Sequence, residues 1–493
     1  MSSTQDIYLY KWWSNEDQSV TIDGDIRSVT MGRGNDTVTI TGSAACINTC
    51  EGDDRIQVGG HVQSITDLFG SNRITVGGNA GSITLGSGHD VIDVAGAISC
   101  LNTGCGNDTV SVGGDLGTGL LGWGTNTLDV GGNAGTVIGG IDQDTVSVAG
   151  NLCLADLCWG DNTLEVGGNA GTVLSGWGND QVSIDGNLSL ACLGDGTNHI
   201  TVGGDACHIN SGCGNDRYVV FGDLGLGCAS NGNNCINVGG SAGTVLAGWG
   251  NDGLNVVENL CLANLGDGAN IVKIGGNAEH LYVGCGDDLL LVKGSVGDML
   301  LGNGLNQLYV GDNVNCAVTG GCGTDRVFVD GNANIANLGW GHDQLHVGGS
   351  LQSAWLGDGN DRAWVGGTLS CVLDTGCGDD AASVGRNQGG VQLGLGNDNL
   401  TLGSFSNCSW VDGCWGHDTL TLVGPASQYQ ITGWNPSCVA TITDLSTGAK
   451  MTAYGIESFQ FTGSQQADSF DLSFLTTINT HACFQAFNPP PGP

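Results

Sequence analysis

Residues 176–211 read GWGNDQVSI DGNLSLACL GDGTNHITV GGDACHINS, four nine-residue pieces that alternate between GxGx(D/N)xUxU and GGNxxxUxx-like patterns, with U apolar. After each Asp or Asn, apolar residues recur two apart, which is the period of a short strand with one buried face. The glycines in front accept positive φ and so predict a tight turn. Turn, strand, turn, strand in 18 residues is one coil of a flattened solenoid, and most of the chain repeats it.

The Asp or Asn of each GxGx(D/N) marks the register. It falls at Asp36, Asp54, Asn72, Asp90, Asp108, Asn126, Asp144, Asn162, Asp180, Asn198, Asp216, Asn234, Asp252, Asn270, Asp288 and Asn306. After small slips it continues at Asp325, Asp343, Asp361, Asp380, Asp398 and Asp418. A period this regular makes the array the fold: an all-β parallel β-roll (β-solenoid) with 18-residue coils. With strands stacked at roughly 4.8 Å, the expectation is one long rod rather than several compact bodies. Its core is a thin row of Val, Ile and Leu.

Four segments follow from where the repeat holds. Residues 1–13 are aromatic, fit no repeat and read as an N-terminal cap. The array occupies 14–424. Residues 425–463 alternate like a small antiparallel β cap, with turns at 433–436 and 446–448. Residues 464–493 carry the apolar FDLSFL, end in FNPPPGP and read as a poorly ordered tail.

Twelve basic residues against 49 acidic ones give a formal charge of −37. Such a surface repels nucleic acid and anionic membranes and attracts cations. Acidity alone would keep a Gly-rich chain soluble, but here the carboxylates are concentrated in register at the turns. No stretch is long and apolar enough to span a membrane, so no insertion is expected. The start, MSSTQDIYLYKWW, lacks the pattern of a secretory signal peptide.

A GxGxD turn offers carbonyls through its glycines and one carboxylate, and calcium takes six to eight oxygens of these kinds. Two turns one strand spacing apart can enclose an ion. The competing reading is that each Asp caps its own turn by accepting N–H bonds. Fifteen aspartates in register would repel one another, and a cation relieves that. The candidate ligands are therefore Asp36, Asp54, Asp90, Asp108, Asp144, Asp180, Asp216, Asp252, Asp288, Asp325, Asp343, Asp361, Asp380, Asp398 and Asp418. Asp–Asp neighbours from 325 to 418 are expected to hold calcium more tightly than the Asp–Asn coils of 144–306. On the opposite edge, Asn79, Asn133, Asn151, Asn169, Asn187, Asn259 and Asn277 form an amide ladder able to satisfy turn groups without metal.

Trp123, Trp159, Trp177, Trp249 and Trp340 occupy the x of GxG (of CxG at Trp159), at the turn surface. They either contact a surface ligand, such as a sugar ring or a partner, or shield the turns as an aromatic ladder. His89, His342 and His417 replace Asn in such turns and read as turn residues. No GxSxG, HExxH or isolated carboxylate pair supports an enzyme.

The 21 cysteines include the couples Cys46/Cys50, Cys100/Cys105, Cys153/Cys158, Cys207/Cys213, Cys316/Cys322, Cys371/Cys377 and Cys408/Cys414. Either locally curled turns close small disulfides within couples, the first expectation, or the thiols are free or cross-link between molecules. Their spacing does not fit zinc or CxxC redox sites.

The GxGNDxUxU units resemble the hemolysin-type calcium-binding (RTX) repeat, GGxGxDxUx. The module ending in YGIESFQF is similar to the segment that follows such repeats. The resemblance covers about residues 14–463. It implies a parallel β-roll with Ca²⁺ between successive turns. It also implies type I export by an uncleaved C-terminal signal, here within 464–493, and hence an extracellular or cell-surface address. The expected function is a secreted, non-enzymatic, calcium-binding structural, matrix or adhesive component. Its partners would be calcium ions, with cell-surface glycans or self-association beside them. The alternatives are a carbohydrate-binding rod using the Trp edge, or the non-catalytic roll portion of an RTX enzyme. The chain departs from the family in carrying the acid only in every second nonapeptide, and in the Asn replacements along the marks.

Overall fold

A computed structural model describes residues 8–11, 15–433, 439–463 and 472–485. The chain divides into two units, 1–230 and 231–493, and each is a parallel β-solenoid.

In the first unit, Tyr8–Tyr10 pairs in parallel with Ile26–Thr30. From Ser19 on, a four-residue strand follows each mark, and a second, usually of five residues, follows the intervening turn. Each strand pairs with its equivalent one coil later: Gln181 lies opposite His199, and Leu188 opposite Ala206. Two parallel ladders result, with Val182 and Ile184 of one facing Leu188 and Ala191 of the other, all buried. The turns pack backbone on backbone. Gly178 has φ +150°, and a Cβ there would lie 2.0 Å from the Gly160 carbonyl oxygen, so neither the angle nor the space admits a side chain.

The second unit repeats the plan from Cys235–Val238 to Thr419–Val423. Where the marks slip from 18 to 19 residues, the extra residue is absorbed as a bulge. Val296 pairs with Val314 but Asp298 pairs with Ala317. Past the array, Tyr429–Thr432, Ala440–Asp444 and Lys450–Tyr454 pair antiparallel as the alternation predicts. Lys450–Tyr454 also pairs in parallel with Ser409–Asp412, and Ser458–Thr462 with Thr419–Val423. The cap therefore contains one more coil, formed without glycine marks.

The segment expected to be a poorly ordered tail is in part structured. Two short helices, α1 (Phe474–Thr480) and α2 (Ala482–Gln485), pack on the outer side of four strands, from Cys235–Val238 to Leu289–Val292. Phe474, Ile478, Cys483 and Phe484 bury themselves against Leu291, Leu289, Ile271 and Tyr309. A disulfide joins Cys235 to Cys483, and the Asn237 amide donates to the Cys483 carbonyl at 3.1 Å. Gly253 makes the room: a Cβ there would meet the Cys483 sulfur at 2.9 Å. The remainder of 464–493 lies outside the described residues, as do 1–7 and 12–14 of the N-terminal segment.

The expected disulfides within couples do not form. All fourteen cysteines of the seven couples are free thiols. In five of the seven couples the first cysteine lies on a strand and the second at the following turn, whereas Cys46 and Cys50 share one strand and Cys408 lies in a turn. Cys100 sits in Ile98–Asn102, while Cys105 bridges to Trp123. The extended chain between them holds the sulfurs apart.

Candidate metal centre

The marks are inside the roll. All fifteen aspartates are at most 3% exposed, as are the asparagines that alternate with them. Glycines before each mark turn the chain inward, and the strand after it fixes the residue at the inner corner.

Each mark caps its neighbour rather than its own turn. Asp54 Oδ1 accepts the Asp36 backbone N–H at 2.5 Å, Asp108 that of Asp90 at 2.8 Å, and Asp361 that of Asp343 at 2.7 Å. Asparagine does the same through its carbonyl, as when Asn162 accepts from Asp144 at 2.9 Å. One oxygen per mark is thus used in stacking, whichever residue is present.

The second side-chain atom separates the two kinds of coil. In six of the seven Asn coils Nδ2 donates to carbonyls of the turn, as Asn126 to Gly124 at 2.9 Å, Asn162 to Gly160 at 3.0 Å and Asn270 to Gly268 at 3.1 Å, whereas Asn306 donates to Asp325 Oδ1 at 2.9 Å. In the Asp coils a carboxylate oxygen takes the place of that donor. Oδ2 is buried without a hydrogen-bond partner at Asp36, Asp54, Asp90, Asp108, Asp180, Asp252, Asp288, Asp325, Asp343, Asp361, Asp380, Asp398 and Asp418. The other two aspartates are satisfied locally, Asp144 by the Gly140 N–H at 3.1 Å and Asp216 by the Ser211 hydroxyl at 2.5 Å.

Burial without partners pushes these carboxyls upward. Asp343 rises to about 8, through desolvation first, with repulsion from Asp361 and Asp325 added. Asp288 and Asp380 rise to about 7, again chiefly by desolvation. Asp252, Asp325, Asp361, Asp398 and Asp418 rise to about 6. Such groups hold a proton or require a cation.

Among the described residues no three His, Cys, Asp or Glu side chains gather as a ready cluster. A cation at the marks would take backbone carbonyls beside the carboxylate. An all-oxygen donor set of that kind suits a hard ion such as Ca²⁺. The residues present fit calcium at the thirteen marks with an unpartnered oxygen, and fit it less well at Asp144 and Asp216.

The outer edges behave differently. On the amide edge, Asn133 Oδ1 accepts the Asn151 N–H at 2.9 Å and Asn151 that of Asn169 at 2.8 Å, so this ladder closes without metal. The tryptophans are exposed: Trp123 62%, Trp159 55%, Trp177 68%, Trp249 72% and Trp340 65%. Trp159 and Trp177 stack at 5.7 Å, whereas Ile141 separates Trp123 from Trp159 along the column. In the second unit Trp415, 76% exposed, stands three residues before the mark Asp418 and pairs with Leu395; it was missed in the sequence although its spacing to the mark is that of the other tryptophans. Burial, then the neighbouring Asp156, push Cys158 up to about 11.

No family model matches the chain, and no curated protein matches it. Among solved structures it is similar to a hyperactive, Ca²⁺-dependent, β-helical antifreeze protein from an Antarctic bacterium. The two are 16% identical over 94% of this chain and 99% of that one, with a TM-score of 0.20. A likeness at that score adds nothing to what the coils themselves display.

Proposed function

We propose that this chain is a non-enzymatic, calcium-binding β-roll that serves as an extracellular or cell-surface structural component. The observation that carries the reading is the set of thirteen buried carboxylates with an unpartnered Oδ2. The Asn coils supply the internal comparison. What an amide N–H₂ does there for the turn carbonyls, a cation does in the Asp coils, while also neutralising the acid. Bound calcium would contribute positive charge and would favour the folded coil, since no such corner exists in the unfolded chain. The resemblance of the GxGND units to RTX repeats agrees with this, and with export. The test is circular dichroism of the whole chain as chelator is replaced by Ca²⁺. Strand signal and melting temperature should both rise, and no change in either refutes the reading.

A second reading, glycan binding, is favoured by the stacked and exposed pair Trp159 and Trp177. Two parallel, stacked indoles offer ring edges and an outer face for a sugar to pack against. Retention on a glycan array that disappears in Trp159→Ala/Trp177→Ala would support it, and retention unaffected by the pair would remove it.

A further inference from the structure

Asp67 is an aspartate outside the periodic set. It lies five residues before the mark Asn72, at the inner corner where strand passes into turn, and is fully buried. In five of the other six Asn coils that position is leucine: Leu121, Leu157, Leu193, Leu265 and Leu301, all fully buried. The sixth has Ala229. An Asn coil thus seals its corner with a hydrocarbon, and this one places a carboxyl there.

The corner is also where the second oxygen of a mark points. Asp216 Oδ2 accepts the hydroxyl of Ser211, five residues before it, and Asp144 Oδ2 accepts the Gly140 N–H, four before. The corresponding residue for Asp54 is Thr49, fully buried. Its hydroxyl donates elsewhere, to Asp67 Oδ2 at 2.5 Å. Asp54, 2% exposed, is left with no N–H or hydroxyl on Oδ2, beside Asp67, whose own oxygens accept from the Thr49 hydroxyl and, at 3.3 Å, from the Phe69 N–H. Burial is the strongest influence on both acids; hydrogen bonds come next, one of them shared between Asp54 and Asp67 themselves, then other carboxylates, with no basic side chain among them. The backbone is irregular at the same place. The pairing of Ala44–Glu51 with Val62–Phe69 shifts on both sides of Cys50, which has φ +70°. A bulge of this kind re-aims side chains.

We infer that Asp67 and Asp54 together form a two-carboxylate site for a divalent cation at this corner, a site that the repeat pattern does not encode. The inference rests on the calcium reading of the marks and adds to it a ligand from outside the register. Ligand charge count governs affinity in oxygen sites. The corner should therefore fill at lower Ca²⁺ than the Asp–Asn coils at 162–198, whose corners carry Leu157, Ser175 and Leu193.

The experiment is hydrogen exchange of the full chain at graded Ca²⁺, comparing the parent with Asp67→Leu and Asp67→Asn. Leucine is the residue its sister coils carry, and asparagine keeps the shape of the acid. In chelator, Asp67→Asn should protect 49–72 at least as well as the parent, because its amide oxygen still accepts a hydrogen bond and the buried acid is gone. With Ca²⁺, the midpoint of protection in 49–72 should rise about tenfold or more in both, while that of 325–418 stays put. An unchanged midpoint in 49–72 overturns the Asp67 site and leaves the calcium reading of the marks standing. Absence of any Ca²⁺-dependent protection in the parent overturns both. An Asp67→Asn chain that loses protection in 49–72 already in chelator would make Asp67 a purely structural residue and likewise overturns the site.

Discussion

At the scale of single residues, the roll depends on a choice between two nearly isosteric side chains. Asn and Asp at a mark make the same stacking bond and differ in one atom, a donor in one case and an acceptor in the other. This gives a pH dependence whose sign is fixed. The marks are raised in the folded state above the ordinary carboxyl value near 4, to about 8 at Asp343 and about 7 at Asp288 and Asp380. The folded state therefore binds protons more tightly than the unfolded one. Metal-free stability is fully present below about pH 4 and is lost as pH rises towards 8. Thermal unfolding in chelator should give a higher melting temperature at pH 5 than at pH 8. With saturating Ca²⁺ the trend should flatten or reverse, since the metal needs the deprotonated acid. A melting temperature that climbs from pH 5 to pH 8 in chelator would refute the account. Asp343→Asn carries the same logic: it should raise the melting temperature in chelator at pH 8 and reduce the gain on adding Ca²⁺.

The marks were legible in the sequence because a strict period exposes them. Their burial, and their capping of the neighbouring coil rather than their own, were not, since spacing does not say which way a turn residue points. Asp67 was invisible for the opposite reason. It breaks no motif, and only the stacking on Thr49 reveals what it faces.

At the scale of elements, the two helices of the second unit show what periodic reading overlooks. The outward positions of the strands after each mark are mostly Thr, Ser or charged residues, but in successive coils they become Cys235 and Asn237, Gly253 and Asn255, Ile271 and Lys273, Leu289 and Leu291. That patch of small and apolar residues is the footprint of α1 and α2, and it could have been read as a surface awaiting a cover. The disulfide was missed because Cys235 and Cys483 are 248 residues apart, whereas the eye follows the spaced couples. Phe474→Ala removes most of a buried ring and should weaken the docking of this segment by about 3 kcal/mol. Limited proteolysis should then cut within 472–485 while the coils stay intact, and cleavage no faster than in the parent would contradict the packing. Thiol mapping checks the covalent link. Cysteines of the seven couples should alkylate in unfolded, unreduced protein, and Cys235 and Cys483 only after reduction. Blocked thiols at Cys100, Cys207, Cys316 and Cys371 would instead restore the disulfides first expected.

At the scale of the whole molecule, charge has to be reconciled with burial. A chain of formal charge −37 places all fifteen mark aspartates inside, with Asp67 beside them, which is stable only if something offsets them coil by coil. The offset differs along the chain. From Asp144 to Asp216, each Asp neighbours an Asn whose amide already serves the turn, and Asp144 and Asp216 find their own donors. Calcium has least to add there. From Asp325 to Asp418 every mark is Asp, each Oδ2 is unpartnered, and Asp361 and Asp380 each feel a neighbouring mark as repulsion or cap. Calcium has most to add there, through both charge count and relief of repulsion. As Ca²⁺ is raised from zero, hydrogen-exchange protection should therefore appear in 325–418 at lower concentration than in 144–216. In chelator the order should be inverted, with 144–216 the better protected. Coils at 144–216 that gain protection at lower Ca²⁺ than 325–418 would show that the unpartnered oxygens are not what the ion answers.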